Sequence, residues 1–570
     1  MNFVRIYLIS LLLINHVDIP FKDRLYFISP VKIPLALSAN FGELRIDHFH
    51  SGVDIKTQGV TGQEVVAAAD GYIYRIGVAP GGFGKALYVR HPGGYSTVYA
   101  HLERFTAEVD AYVKRSQYER KSFTVSLFPE EGRFPVKQGD LIAYSGNSGG
   151  SSGPHLHYEI RDSETEKPLN PLLFDFGKDD NIKPVIERLA IYPINANSRI
   201  NGKNSVLKIP VTGGNGKYTL AKELTISGTT GFGIKSYDLI NEAFNKCAAY
   251  SIELRIDSNN IYRYIMDGFA FSESRYVNSH IDYETYIKEN TYYERMFLLP
   301  NNRLSAYKDV KNRGLFNFTD SGYHKVEVII TDAHNNESRL AFTVKSSVPE
   351  GSGKRIPEVG AVPMVYNRIN RFKAENISVT IPSGALYDTL FFVYRREPGT
   401  PEMFSDVHQV HNKFTPLHRP CTVAIRPDSV PAGLESKMLI MQVSDNGLKS
   451  SLGGAWSEGY LSTETSSFGT FCVGIDTTAP AIYPNGLSTG ADLSGKREMR
   501  IRITDDLSGI KVYEPSIDGK WALFEYDQKN NVLIYKFDPE RITKGTLHTL
   551  VLKVTDNREN QSEFICEFRW

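Results

Sequence analysis

Cysteine is almost missing from this chain. Four occur in 570 residues, Cys247, Cys421, Cys472 and Cys566, with no C-x-x-C pair and none in the first 246 positions. Any metal site in that first part must therefore be built from histidine and carboxylate. Should the chain be exported, four cysteines allow three pairings, and spacing does not choose among them. Net charge is missing as well. Lys plus Arg and Asp plus Glu both number 65, which gives no reason to expect nucleic acid or an anionic membrane as the main partner.

Long apolar runs are also lacking. The strongest, Ile6 to Ile14, is nine residues, against the ~20 a membrane-spanning helix needs. It matches the apolar region of a secretory signal. Residues 1–20 are read as such a signal, although no A-x-A-like cleavage site follows and a first buried strand is the competing reading. No cysteine lies near it to carry a lipid anchor. No later run approaches ~18 apolar residues, so no span is expected after signal removal. A periplasmic or secreted, cell-envelope location follows.

What is present is strand text. At 41% hydrophobic and 23% charged, the chain has material for several cores, and its length suggests about four domains. From Ser29 to Asp162, short β-branched and aromatic runs alternate with glycine, as in "EVVAAADGYIYRIGV", "GKALYVRH" and "GDLIAYSG"; this reads as an antiparallel all-β domain, taken as 25–175. Beyond "KPLNPLLFDFGKDDNIKP", strands recur at sandwich spacing. "VEVIITDAHNNESRLAFTV" (326–344) and "LVLKVTDNRENQSEFICEF" (550–568) share strand, T-D-x-x-x-N-x-S, strand, and "LIMQVSDNGLKSSL" (439–452) is a looser third copy. The expected fold class is all-β: the N-terminal domain, then about three β-sandwich units of immunoglobulin type at 180–348, 358–475 and 480–570. The first carries an aromatic stretch (259–297) that either packs into its core or, if exposed, binds sugar rings or a partner.

Three short motifs carry the chemistry. In "FHSGVDI", His50 and Asp54 are four apart in text that disfavours a helix. In "GPHLHYEIRD", His155 and His157 point to one face of a strand, since side chains at i and i+2 do so. In "STVYAHLERF", Thr97, Tyr99 and His101 share a face by the same rule. Each alone has a bland explanation as solvated or satisfied strand residues. Counted together, two histidines and a carboxylate form a zinc shell with an open position, as in catalytic zinc. Imidazoles beside it handle protons near neutral pH. The combination points to metal-assisted hydrolysis.

"LSANFGELRIDHFHSGVDI", "AAADGYIYRIGVAPGGFGKALYVRHPGGYSTVYAHL" and "VKQGDLIAYSGNSGGSSGPHLHYEIRD" resemble the lysostaphin/LytM-type zinc metallopeptidases, with H-x-G-x-D, Y-A-H-L and G-P-H-L-H-Y-E in family order. The resemblance covers roughly 35–165 and implies a duplicated-hybrid-motif fold and a zinc endopeptidase acting on peptidoglycan stem peptides or cross-bridges. It makes His50, Asp54 and His157 the Zn²⁺ ligands, and His101 and His155 the catalytic non-ligand histidines. His48 is a rival ligand that the H-x-G-x-D register sets aside. The alternative is a catalytically silent cell-wall binding or regulatory protein using the same domain for recognition, and the C-terminal domains offer a surface for an envelope protein partner. One departure stands out, an insertion at 107–134, which either walls the substrate groove or forms a solvated hairpin or helix.

Overall fold

The computed structural model describes residues 27–174, 180–241, 243–349, 351 and 358–570; the expected signal at 1–20 lies outside them. The chain is all-β, and the few helices are short. In the first unit the strands that matter are β1 (Leu37–Ala39), β2 (Val53–Lys56), β3 (Gly71–Val78), β4 (Lys85–Arg90), β5 (Tyr95–Ala100), β6 (Val125–Leu127) and β7 (His155–Asp162). They form the main path of a nine-stranded sheet in the order β1-β2-β7-β5-β4-β3-β6. The β2, β7 and β5 pairings are antiparallel, and their register puts His157 opposite Asp54 on one side and Ala100 on the other.

Strand β7 explains why its pattern looked odd. Leu156, Tyr158 and Ile160 are fully buried in the main apolar core. The alternate residues His157, Glu159 and Arg161 are buried too, so the second face is a polar layer. Buried polar groups persist only where partners satisfy them, and that layer is the site described below.

The remaining units are β domains. Between Met364 and Ile475, two five-stranded sheets supply one core, with Val379, Val423 and Leu461 from one sheet and Val410, Ile440 and Phe471 from the other. Between Ala481 and Arg569, a four-stranded and a five-stranded sheet do the same through Ile501, Leu533, Leu552 and Val554. In the second unit the aromatic stretch is packed: Tyr262, Tyr264, Tyr276, Tyr293 and Phe297 are buried. All four cysteines are buried and unpaired.

The units lean on one another. Phe41 and Phe49 of the first unit belong to the core of the second, against Phe269 at 5.4 and 5.6 Å between ring centroids. Tyr276 stacks on His418 of the third unit at 4.2 Å. The insertion contains a helix, α1 (Ala107–Arg120), and then β6, which extends the sheet beside β3. Val109, Val113 and Gln117, spaced by four, are its buried face. Its Tyr118 meets Trp521 edge-on at 5.3 Å and Lys114 pairs with Asp538 at 2.5 Å, so these residues dock the last unit.

Candidate metal centre

The site grows from the register of β2 and β7. His157 Nε2–H donates to Glu159 Oε1 at 2.9 Å, so the ring's other nitrogen, Nδ1, carries the lone pair. Glu159 is fully buried; Ser51 Oγ donates to it at 2.5 Å and Arg161 Nε at 2.6 Å. Burial opposes its charge, but Arg161 and His157 outweigh burial and hold the carboxyl at about 2. A fixed carboxylate behind a histidine selects the tautomer and the aim of the opposite nitrogen. His50 is set the same way by backbone: its Nδ1–H donates to the Asn40 carbonyl at 2.7 Å, which leaves Nε2 as acceptor.

These two free nitrogens then face each other. His50 Nε2 lies 3.0 Å from His157 Nδ1, and Asp54 Oδ1 lies 3.0 and 2.9 Å from the two. Asp54 Oδ2 accepts from Arg45 Nη2 at 3.0 Å, so Oδ1 is the oxygen turned inward. Burial disfavours the Asp54 charge, yet the imidazoles of His155, His157 and His50 gathered around the carboxylate outweigh burial and keep the carboxyl far below its usual range. Burial opposes a charge on His157, but with no cation in the centre Asp54 and Glu159 lift it to about 9, and the proton this places on Nδ1 is the one a metal would displace. Two lone pairs and a carboxylate oxygen converging at hydrogen-bond distance demand a positive charge between them, a shared proton or a metal cation. With two imidazoles and one carboxylate as donors and their outer atoms already held, the set fits a divalent transition metal.

The remaining two histidines flank this centre. His155 Nδ1–H donates to the Gly153 carbonyl at 2.9 Å, and its Nε2 lies 3.5 Å from Asp54 Oδ1. Its side chain, 17% exposed, is the most open of the three histidines around Asp54 Oδ1. His101 Nδ1–H donates to the Ser148 carbonyl at 2.9 Å, and its ring centre lies 4.8 Å from that of His155. Burial, then His157 and His155, hold it down at about 4, so it is neutral at pH 7. The face-sharing expected for Thr97, Tyr99 and His101 holds for the first two, whose hydroxyls meet at 3.1 Å, and fails for His101. Tyr99 turns into the core, its hydroxyl taking the Ala68 N–H. His101 adopts φ 59° just past the end of β5 and so leaves the alternation for the site side. His48 is exposed and bonds the Ile46 carbonyl, away from the cluster.

Two glycine-rich loops shape the rim. Phe83 stacks on His157 at 5.1 Å and its carbonyl takes the His101 N–H. The two loops touch backbone to backbone, so a Cβ on Gly149 would sit 2.4 Å from the Gly84 nitrogen, and both residues have positive φ. The sequence did not single out Glu159, Arg161, Asn40 or Arg45. Glu159 and Arg161 were findable, as they continue the alternation of His155 and His157. Lys529, from the last unit, was not: its ammonium donates to the carbonyls of Asn147 and Ser151, in the loop that orients His101 and His155.

Residues 48–118 and 130–171 match peptidase family M23, and residues 361–476 match the Zu5-like domain. The first unit is therefore an M23-family peptidase domain. The match breaks across 119–129, within the insertion. The Zu5-like match is the finer identity for a unit expected only as an immunoglobulin-type sandwich. Among relatives, an uncharacterized metalloprotease of Haemophilus influenzae is 36% identical over 123 residues, 22% of this chain and 20% of that protein. The DD-carboxypeptidase/endopeptidase Mpg of Neisseria meningitidis is 33% identical over 123 residues, 22% of each. The murein hydrolase activator NlpD of Salmonella dublin is 34% identical over 125 residues, 22% of this chain and 26% of that protein. The matches thus span about a fifth to a quarter of those relatives.

Proposed function

We propose that this chain is a zinc-dependent endopeptidase that hydrolyses peptide bonds of peptidoglycan stem peptides or cross-bridges in the cell envelope. The observation that carries this is the convergence of His50 Nε2, His157 Nδ1 and Asp54 Oδ1, each aimed by a separate partner. Those three residues would hold the ion. When bound, zinc supplies a polarised, readily deprotonated water and a Lewis acid for the scissile carbonyl. His155 and His101 both donate Nδ1–H to backbone carbonyls. Each therefore presents a basic Nε2, and the depressed pKa of His101 keeps that atom unprotonated at neutral pH. One takes the proton of the attacking water; the other, once protonated, stabilises the oxyanion or passes a proton to the leaving amine. Phe83 and the glycine-rich loops cover the His157 side of the centre and limit water there.

A second reading, an envelope regulator without turnover, is favoured by the likeness to a murein hydrolase activator. The full set of five site residues supports hydrolysis instead. Incubation of purified sacculi with the protein alone, with and without chelator, separates the two. Chelator-sensitive release of muropeptides with new amine termini supports the peptidase; no release, with stimulation of an added amidase, supports the regulator.

A further inference from the structure

The two T-D-x-x-x-N-x-S loops are built alike in space as well as in sequence. In the second unit, Asp332 Oδ1 accepts the N–H groups of His334 and Asn336, and Asn336 Nδ2 donates both to Asp332 Oδ2 and to the Asp180 carbonyl. Ser338 Oγ donates to the Pro184 carbonyl. In the last unit, Asp556 Oδ1 accepts from Arg558 and Asn560, and Asn560 Nδ2 donates to Asp556 Oδ2 and to the Asp476 carbonyl. Ser562 Oγ donates to the Pro480 carbonyl. The match extends to a second carboxylate: Asp180 accepts the N–H groups of Ile182 and Asn241, and Asp476 those of Thr478 and Ser508. Each junction adds a third acid at the same offset, Asp238 before Asn241 and Asp505 before Ser508. The third, looser sequence copy lacks this arrangement; its Asp445 is 83% exposed and pairs with Lys413.

Three carboxylates thus lie near enough to feel one another's charge where each unit begins, and they are poorly compensated. Among the described residues none of the six forms an ion pair with Lys or Arg. Asp238 is 3% exposed, yet its Oδ1 has no hydrogen-bond partner. Asp180 Oδ2 and Asp505 Oδ1 are buried atoms without partners as well. Burial, with Asp332 and Asp180, drives the Asp238 carboxyl up to about 8. Burial raises Asp505 too, with Asp476 and Asp556 adding to it. Buried acids with unfilled oxygens are costly unless a cation or proton joins them. Donor atoms of Asp180, Asp332 and His334 lie within 4.8 Å of one another, as do those of Asp476, Asp505 and Asp506. His334 corresponds to Arg558 in the last unit, so the donors common to both junctions are carboxylate oxygens.

We propose that each junction binds one hard divalent cation of the calcium class, held at the first by Asp180, Asp238 and Asp332 and at the second by Asp476, Asp505 and Asp556. Oxygen-only, flexible carboxylate sets suit calcium rather than zinc, and the loose geometry disfavours magnesium. Each ion ties the entry strand of a unit to its closing hairpin. In the last unit this steadies the domain whose Lys529 grips the active-site loop.

The test uses the full-length, zinc-loaded protein stripped of calcium. Equilibrium dialysis with calcium chloride should find two calcium ions per chain, with a rise in Tm on binding and little response to magnesium. Asp238→Asn should remove one ion and Asp505→Asn the other. Each change replaces an acid that the calcium-free protein keeps only protonated or under like-charge repulsion, so the Tm of the calcium-free protein should not fall while the gain from calcium shrinks, and that undiminished Tm shows the variants to be folded. No calcium bound by the unaltered protein overturns the proposal. An ion count unchanged by Asp238→Asn overturns the first site, and one unchanged by Asp505→Asn the second.

Discussion

His50 Nε2 and His157 Nδ1 face each other at 3.0 Å, although they are 107 residues apart in the chain. Neither carries its ring proton there, since Asn40 and Glu159 take those protons on the far sides. Asn40 and Glu159 thus set which atoms the pair turns inward without lying between them.

Glu159→Gln keeps shape but removes the charge that fixes the His157 tautomer. Metal affinity should fall by roughly 10–100-fold while the fold persists, as measured by competition with a chromogenic chelator. Unchanged affinity would mean that the Glu159 contact does not tune the site.

His50 is positioned from the neighbouring unit. Asn40 bonds the Ala248 carbonyl and N–H through its side chain, both at 2.8 Å, while its own carbonyl receives His50. Asn40→Ala strands two backbone groups of the second unit and should cost about 1–3 kcal/mol. It should also weaken metal binding. Thermal melts and the same chelator competition report the two effects separately.

His155→Ala and His101→Ala should each keep the metal and lose turnover. General acid–base groups typically contribute ~10²–10⁴-fold, so kcat for release of amine termini should drop within that range at unchanged metal content. Loss of metal in either variant would move that residue into the ligand shell.

The last unit is clamped by Glu525, which meets Lys85 and Lys536 at 2.8 Å each. Burial opposes its charge, but the two lysines bring the carboxyl down from its ordinary 4.5 to about 2. A depressed acid stabilises above its unfolded value, so this contribution is full above pH 4.5 and is lost as pH falls toward about 2. Trp521 emission, which reports contact with Tyr118, should shift across that window. In Glu525→Gln the interface should be weaker, by about 1–3 kcal/mol against the ~3–5 of a fully buried pair, and its emission flat over the same range.

Lys529→Ala should leave metal content unchanged and alter kcat through the 146–153 loop, a change read by steady-state hydrolysis.

Legibility followed chain distance and chemistry. Strand alternation in "GPHLHYEIRD" and the spacing in "FHSGVDI" bring His50, Asp54 and His157 into view, because side chains bear that information directly. The same alternation misplaces His101, since one positive φ reverses its face. Asn40, Ser148 and Gly153 act through backbone carbonyls, which any residue provides. Lys529 reaches Asn147 across 382 positions, a distance at which a solvated lysine and a clamp look identical. The aromatic stretch was ambiguous for a similar reason: tyrosine density does not say whether Tyr262 and Tyr264 face a ligand or, as they do, a core.

His50, Asp54 and His157 are proposed to hold a catalytic zinc together. Elemental analysis of the purified protein beside His157→Ala, after dialysis against zinc and removal of excess, tests it most directly. The unaltered protein should carry one zinc per chain and His157→Ala none, with both folded by circular dichroism. Zinc retained at full stoichiometry in His157→Ala would contradict it.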